Sequence, residues 1–486
     1  MAVLDALEPK SVFKFFEDIS AVPRGSGNVK GISDFLVKFA KDRNLEVVQD
    51  ELLNVIIKAP ATAGYEDHER VILQGHMDMV AVCEEGSGID MTTTPIKLLT
   101  DGEWITADKT TLGADDGIAV AMCMAILDSK DIPHPPLTVL ITTDEETGMF
   151  GAVGLDPKYI DAKKLINIDS EDEGVILSGC AGGGRFNARL SYEKTKVTGT
   201  RCRLSINGLS GGHSGALIHL ERGNANCLIG RILYQLTAGE GFDFSLISLK
   251  GGEADNAIAA VSEAYIVLPE GIDFEAFTSA AAKIESEIKS ELEGKDEGFK
   301  LSVSAMEKGS FDCFEAESAR KALGLLCSMP NGVQAMSATM KGLVETSLNL
   351  GILRTDEENG TITLSYAVRS SVESSKLFLI DKLKLIAEAF GAAANTSGLY
   401  PGWKYSTVSP LRDTLSLVYE NMYGKKPVVE AIHAGVECGF FIEKSEGLDC
   451  VSIGPDMEAI HSPAERLSVA STKNVYEYLC EVLKAL

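Results

Sequence analysis

No uncharged apolar run in this chain approaches the ~18 residues that a membrane-spanning helix needs, so a membrane partner is not expected. Basic residues are scarce. Lys and Arg total 45 against 71 Asp and Glu, a net charge of −26. That field repels a nucleic-acid backbone or an anionic lipid surface. The ten Cys are scattered without a CxxC pair, which speaks against a finger-type thiolate zinc site and for free thiols in a reducing cytoplasm. Cys123, Cys227 and Cys327 stand in apolar stretches and are expected to be buried. The N-terminus lacks an apolar signal core, since Lys14, Glu17 and Asp18 interrupt it. A low-complexity linker is also missing, and only seven His are present.

What is present is an alternation of short apolar strands and helices. At 486 residues the chain exceeds one core, and two domains are expected. Residues 10–45 read as helical, with Ser11 a cap for the pattern Val12, Phe15, Phe16. Strands follow at 53–59, 71–74, 137–142 and 165–168, with an Ala- and Met-rich helix at 117–127. This order predicts an α/β fold with a doubly wound, mostly parallel sheet. Near residue 186 the pattern changes to α+β, with two strand–helix–strand units that suggest an internal duplication, and after residue 400 the first pattern resumes. The expected organisation is a discontinuous catalytic domain, 1–185 and 400–486, with an inserted lid domain, 186–399.

Ligand sites in such sheets gather at the carboxyl ends of strands. Gly75-His76-Met77-Asp78, Asp144-Glu145-Glu146 and Asn167-Ile168-Asp169-Ser170 each stand where an apolar run meets a turn. Gly113-Ala114-Asp115-Asp116-Gly117 precedes a helix, and Ile460-His461-Ser462 lies far downstream. Each alone has a plainer explanation: a surface His, acidic helix capping, a solvated loop. Jointly they offer two His and several carboxylates, an inventory suited to two divalent metals sharing one carboxylate and activating water. Asp78 can accept the second ring N–H of His76 and so fix its tautomer. Of the adjacent acids Glu145 and Glu146, one can bind metal while the other takes a proton. His68 and His134 are read as non-functional.

In this order the segments resemble the co-catalytic zinc aminoacylase/carboxypeptidase-like peptidases, in particular their aminoacyl-histidine dipeptidase branch. The branch marks are Asn167-Ile168-Asp169-Ser170-Glu171, His433-Ala434-Gly435-Val436-Glu437-Cys438-Gly439 and Ile460-His461-Ser462-Pro463-Ala464-Glu465-Arg466. The resemblance spans nearly the whole chain. It implies that Asp115 bridges two ions, that His76 and Asp169 complete one site and Glu146 and His461 the other. It also makes Glu145 the general base and Asp78 the acid that orients His76. Two His and three carboxylates suit Zn2+ and also accept Mn2+ or Co2+.

The same resemblance implies substrate-binding roles. His213, in Gly211-Gly212-His213-Ser214-Gly215, would stabilise the oxyanion, from its own chain or across to a partner. Asn256 would contact substrate from a lid segment. Arg369 would pair with the free carboxylate, although related families commonly carry Asp two places earlier, where this chain has Ala367. His433 and Glu437 either bind the free amine or only shape the pocket.

The expected activity is metal-dependent hydrolysis of dipeptides, of Xaa-His type and more broadly. The alternatives are an N-acyl-amino-acid deacylase on the same scaffold and a non-catalytic binding protein; a purely structural calcium site is disfavoured by the two His. Expected partners are a short peptide substrate and a second copy of the chain through the lid.

Overall fold

The computed structural model describes residues 3–486, which form two compact units. One comprises residues up to Gly179 together with Tyr405–Ala431 and Val436–Leu486; the other comprises Cys180–Lys404 and Ile432–Gly435. The short excursion 432–435 falls outside the expected boundaries, because the backbone of Ala181 donates to the carbonyls of Ile432 and Ala434 and draws that turn, with His433, into the second unit.

The first unit is built on an eight-stranded sheet in the order Glu46–Gln49, Val55–Ala59, Leu137–Thr142, Val71–His76, Lys164–Asn167, Asp449–Ser452, Val175–Cys180, Val428–Ile432. The middle pairings, 137–142 with 71–76, 71–76 with 164–167 and 164–167 with 449–452, are parallel. The pairings 46–49 with 55–59, 55–59 with 137–142 and 449–452 with 175–180 are antiparallel, so the sheet is mixed, with its parallel part in the middle. For the first of these pairs the reason is connection length: the tight turn Asp50–Asn54 joins the two strands directly, as an antiparallel pair permits.

Every residue of Val71–His76 and of Leu137–Thr142 is buried, as expected of strands covered on both faces. The helix Lys10–Ser20 inserts Val12, Phe13, Phe15, Phe16 and Ile19 into the core. Complete burial of such a side chain contributes about 1.5–3 kcal/mol. Pro9, not Ser11, occupies the helix N-cap, and no side chain caps this end; proline's fixed φ suits a helix entry and leaves Ser11 already inside the first turn. The helix Ala114–Asp128 is buried on all sides from Ala114 to Ile126, which explains its small and apolar composition. A separate four-stranded sheet pairs Met457–Glu458 with Arg466–Ser468 and holds the loop of His461 between them.

The second unit is one nine-stranded sheet with only antiparallel pairings. Its core includes Phe186, Leu204, Ile229, Phe277, Leu326 and Tyr366. Both strand–helix–strand units expected from the sequence lie within this sheet. Asn224 caps the helix Ala225–Tyr234 by accepting from the amides of Asn226 and Cys227, the arrangement that favours Asn at a helix start. Among the described residues, no helix is long and apolar enough to cross a membrane. Cys123 is buried, but Cys227 is half-buried and Cys327 exposed, against the expectation for the last two. Each sits on a helix with one solvent-facing side, which an apolar stretch does not reveal.

Candidate metal centre

His76 ends one parallel strand, Asp144-Glu145-Glu146 follow the end of its neighbour, and Asp169 follows the end of the strand on its other side. Three donors therefore come from the carboxyl ends of adjacent strands. Asp115 enters from the start of the buried helix, and His461 from the loop at 459–465.

The Asp115 carboxylate lies between the two imidazoles. Its Oδ1 is 3.1 Å from Nε2 of His76, and its Oδ2 is 3.1 Å from Nε2 of His461. Asp169 Oδ1 is 3.5 Å from the same nitrogen of His76, and Glu146 Oε2 is 2.9 Å from that of His461. Two ligands bound tetrahedrally at about 2.0–2.1 Å stand roughly 3.3 Å apart, so these separations suit donors sharing an ion. One oxygen, Oε1 of Glu146, is buried without a partner. The donor set fits divalent metal. Asp115, Glu146 and His461 form one possible ligand group; His76 and Asp169 form another, in which Asp116 is also within reach.

Surrounding hydrogen bonds fix these side chains. Asp78 is buried, with its Oδ1 3.4 Å from Nδ1 of His76. It accepts from the backbone N–H groups of Glu145 and Glu146 and from the Ser26 hydroxyl. One carboxylate thus aims both the His76 ring and the backbone of the adjacent acids. Asp144 and His461 hold left-handed φ angles of 53° and 60°, uncommon for non-glycine residues and frequent at functional sites.

The electrostatics are those of closely packed acids around two imidazoles. Burial disfavours the charged form of His76, but Asp169, Asp115 and Asp78 outweigh it and hold its pKa well above the ordinary value. Hydrogen bonds to Asp115 and Glu146 raise His461 to about 10. Burial raises Asp169 to about 6, and burial with neighbouring negative charge holds Glu145 well above the carboxylate range. Such a cluster concentrates negative charge where a metal would compensate it.

A model of peptidase family M20/M25/M40 matches residues 72–485. The cytosol non-specific dipeptidase of Escherichia coli is 36% identical over 491 residues, covering 100% of this chain and 99% of that protein. The chain belongs to this peptidase family. The crystal structure of the aminoacylhistidine dipeptidase from Vibrio alginolyticus superposes with a TM-score of 0.93 at 35% identity, over 99% of this chain and 98% of that one. The aminopeptidase PepT of Bacillus cereus, 16% identical with a TM-score of 0.60 over 99% of each chain, shares the fold. This M20 peptidase is a hydrolase, and the donor groups described above suit divalent metal.

The second unit of this M20 peptidase gathers four of the remaining expected residues. The ribbon formed by Gly212–His213 and Ala257–Ile258 carries His213 and, one residue before its second strand, Asn256; both are exposed. The Nδ1 of His213 accepts from the amides of Gly215 and Ala216, which leaves Nε2 as the protonated, donating nitrogen. Burial and then Arg369 lower the pKa of His213. Arg369 donates to the Tyr400 hydroxyl at 3.1 Å, and its Nε is buried without a partner. The Nε2 of His433 is 2.7 Å from the Ser347 hydroxyl, and burial lowers its pKa to about 4.

Glu437 differs. It belongs to the first unit and is fully buried, and its Oε2 accepts from Gln74 at 2.6 Å and Thr142 at 2.7 Å. Its Oε1 is buried without a partner. His68 is exposed and His134 is buried with Nδ1 on the Pro135 carbonyl; neither approaches the metal-ligand groups.

Sequence reasoning missed Asp116, Arg24 and Glu465. Asp116 is buried, and its Oδ2 accepts from the His76 amide at 3.1 Å; its position in the Asp-Asp pair was the available signal. Arg24 and Glu465 are also buried; Arg24 stands in no motif, whereas Glu465 belongs to the segment Ile460–Arg466, which was the available signal.

Proposed function

We propose that this M20 peptidase is a dipeptidase, acting on Xaa-His and other dipeptides with two Zn2+ ions. The observation that carries this reading is the Asp115 carboxylate facing His76 with one oxygen and His461 with the other. His76 and Asp169 would complete one ion's ligands and Glu146 and His461 the other's. The mixture of imidazole and carboxylate donors would also accept Mn2+ or Co2+. The bound ions supply a Lewis acid for the scissile carbonyl and a lowered pKa for water.

The chain's own residues do the rest. Glu145 accepts the proton of the attacking water on its carboxylate and delivers it to the departing amine nitrogen. Asp78 holds the His76 ring and the backbone of Glu145 in place. In the second unit, His213 donates from Nε2 to the developing oxyanion, a contribution of about 3 kcal/mol to the barrier. Asn256 contacts the substrate backbone. Arg369 pairs with the free carboxylate, for which a planar guanidinium is suited, and His433 lines the same pocket.

The free cysteines support a cytoplasmic setting. A homodimer through the second unit is supported by its helix Glu373–Ala389, which exposes Phe378 at 72% and Leu385 at 66%, and by the edge strand Ala393–Tyr400.

The test is to remove metal with a chelator, reload Zn2+, Mn2+ or Co2+, and assay dipeptides, tripeptides and N-acetyl amino acids. Restored hydrolysis confined to dipeptides is expected. Preference for N-acetyl amino acids would replace this reading with deacylation, and no hydrolysis after reloading would overturn it.

A further inference from the structure

Two buried charges outside the ligand set hold the three ligand-bearing loops together. Glu465 is 2% exposed and Arg24 1% exposed. The Glu465 carboxylate accepts from four consecutive backbone amides. Its Oε2 takes Leu112 at 2.7 Å and Gly113 at 2.9 Å, and its Oε1 takes Ala114 at 2.8 Å and Asp115 at 3.4 Å. Arg24 grips the same turn from its carbonyl side, donating from Nη2 to the Gly113 oxygen at 2.5 Å. From Nη1 it donates to the carbonyls of Met77 at 3.3 Å and Asp78 at 3.4 Å.

The geometry connects particular loops. Glu465 stands four residues after His461, so it ties the loop of His461 to the turn of Asp115. Arg24 ties that turn to the loop after His76. The guanidinium crowds both glycines of Gly113-Ala114-Asp115-Asp116-Gly117, together with Met79 Sδ, 2.6 Å from a Cβ placed on Gly113. A Cβ on Gly113 would lie 2.7 Å from Arg24 Nη2, and one on Gly117 would lie 2.5 Å from it. Gly113 also has φ +68°, which glycine adopts without strain.

We propose that Glu465 and Arg24 are positioning residues that place the Asp115 carboxylate between His76 and His461 before metal arrives. Metal affinity and turnover then depend on a carboxylate that touches neither metal nor substrate and lies 350 positions from Asp115 in sequence. The inference rests on the reading of Asp115 as the shared ligand. Partners of this kind typically govern affinity or activity by about 10–100-fold.

The test uses the full chain with Glu465→Gln and Arg24→Lys, measuring Zn2+ affinity by chelator competition and dipeptide kcat and KM separately. Glu465→Gln keeps shape but turns an amide donor toward backbone amides. About tenfold or more is expected to be lost from Zn2+ affinity and from kcat in each variant, with KM little changed. A merely structural tie would lower thermal stability and leave both quantities within about twofold of the unaltered chain, which overturns the proposal.

Hydrogen exchange in the unaltered chain decides the matter even if a variant fails to fold. The amides of Leu112, Gly113 and Ala114 should be as protected without metal as with it. Protection that arises only on adding Zn2+ would show that metal, not Glu465, orders the turn. Asp115→Asn separates the two readings: if it binds two ions as tightly as the unaltered chain, the shared-ligand assignment fails by itself.

Discussion

Replacing Asp78 by asparagine keeps the side chain's shape and removes its charge. In the structure the carboxylate accepts from the amides of Glu145 at 3.1 Å and Glu146 at 3.4 Å and from the Ser26 hydroxyl at 2.8 Å, and it faces the His76 ring. An asparagine oxygen can keep the Glu145 contact, but its amide then points hydrogens at the Glu146 N–H. One charge-assisted hydrogen bond is lost, a contribution of about 1.5–3 kcal/mol. The His76 imidazole also loses the negative charge that favours metal binding. A loss of about 1.4–2.7 kcal/mol corresponds to 10–100-fold in rate, the range usual for residues that orient metal ligands. Asp78→Asn should therefore lower kcat at saturating Zn2+ by about 10–100-fold, with a parallel loss of metal affinity. Steady-state dipeptide hydrolysis and chelator competition measure the two. A folded Asp78→Asn protein with both quantities within about twofold of the parent would refute the assignment of Asp78 as an orienting acid.

Glu145→Ala should retain metal but lose turnover by about 10²–10⁴-fold, as expected for removal of a general base; near-normal hydrolysis would eliminate Glu145 from that role. Gly75→Ala places a Cβ 2.4 Å from Asp116 Oδ2 and 2.8 Å from the Ala119 Cβ, so it should cost about 1–3 kcal/mol of stability by overpacking and weaken metal binding, read by thermal unfolding and metal titration. His433 is held neutral, its pKa lowered from 6.5 to about 4 by burial and then by Arg369, with the Val344 backbone acting in the opposite direction. The unfolded chain binds the extra proton first as pH falls, so stability is full above pH 6.5 and declines toward pH 4, by at most about 3 kcal/mol. His433→Gln should flatten that part of the denaturation-midpoint profile, and an unchanged slope between pH 6.5 and 4 would count against it.

The donor types of the metal centre were legible because each sits where a buried apolar run stops. Val71–Gln74, Leu137–Thr142 and Leu165–Ile168 announce strands by composition, and a parallel sheet brings such ends together. Arg24, Asp116 and Glu465 were not legible as parts of the same centre. Arg24 and Glu465 bond to backbone carbonyls and amides, which every residue carries, so even with Glu465 inside the segment Ile460–Arg466 neither sequence position reveals its partner. Glu437 shows the converse. Its place beside a glycine turn left open whether it binds an amine or shapes the pocket, and only the structure shows it buried against Gln74 and Thr142. Cys327 erred the same way: an apolar stretch marks a helix's buried face but not which residue faces out.

By itself the sequence determined where the buried apolar strands stop and the helices of the first unit, because periodicity and punctuation are local properties. It could not decide that the first sheet is parallel only in its middle, that His433 packs with Ser347 in the second unit, or that the two oxygens of Asp115 divide between His76 and His461. Those facts depend on contacts from 39 to 346 positions apart, where hydrogen-bond direction and close packing select one register among many compatible with the same pattern.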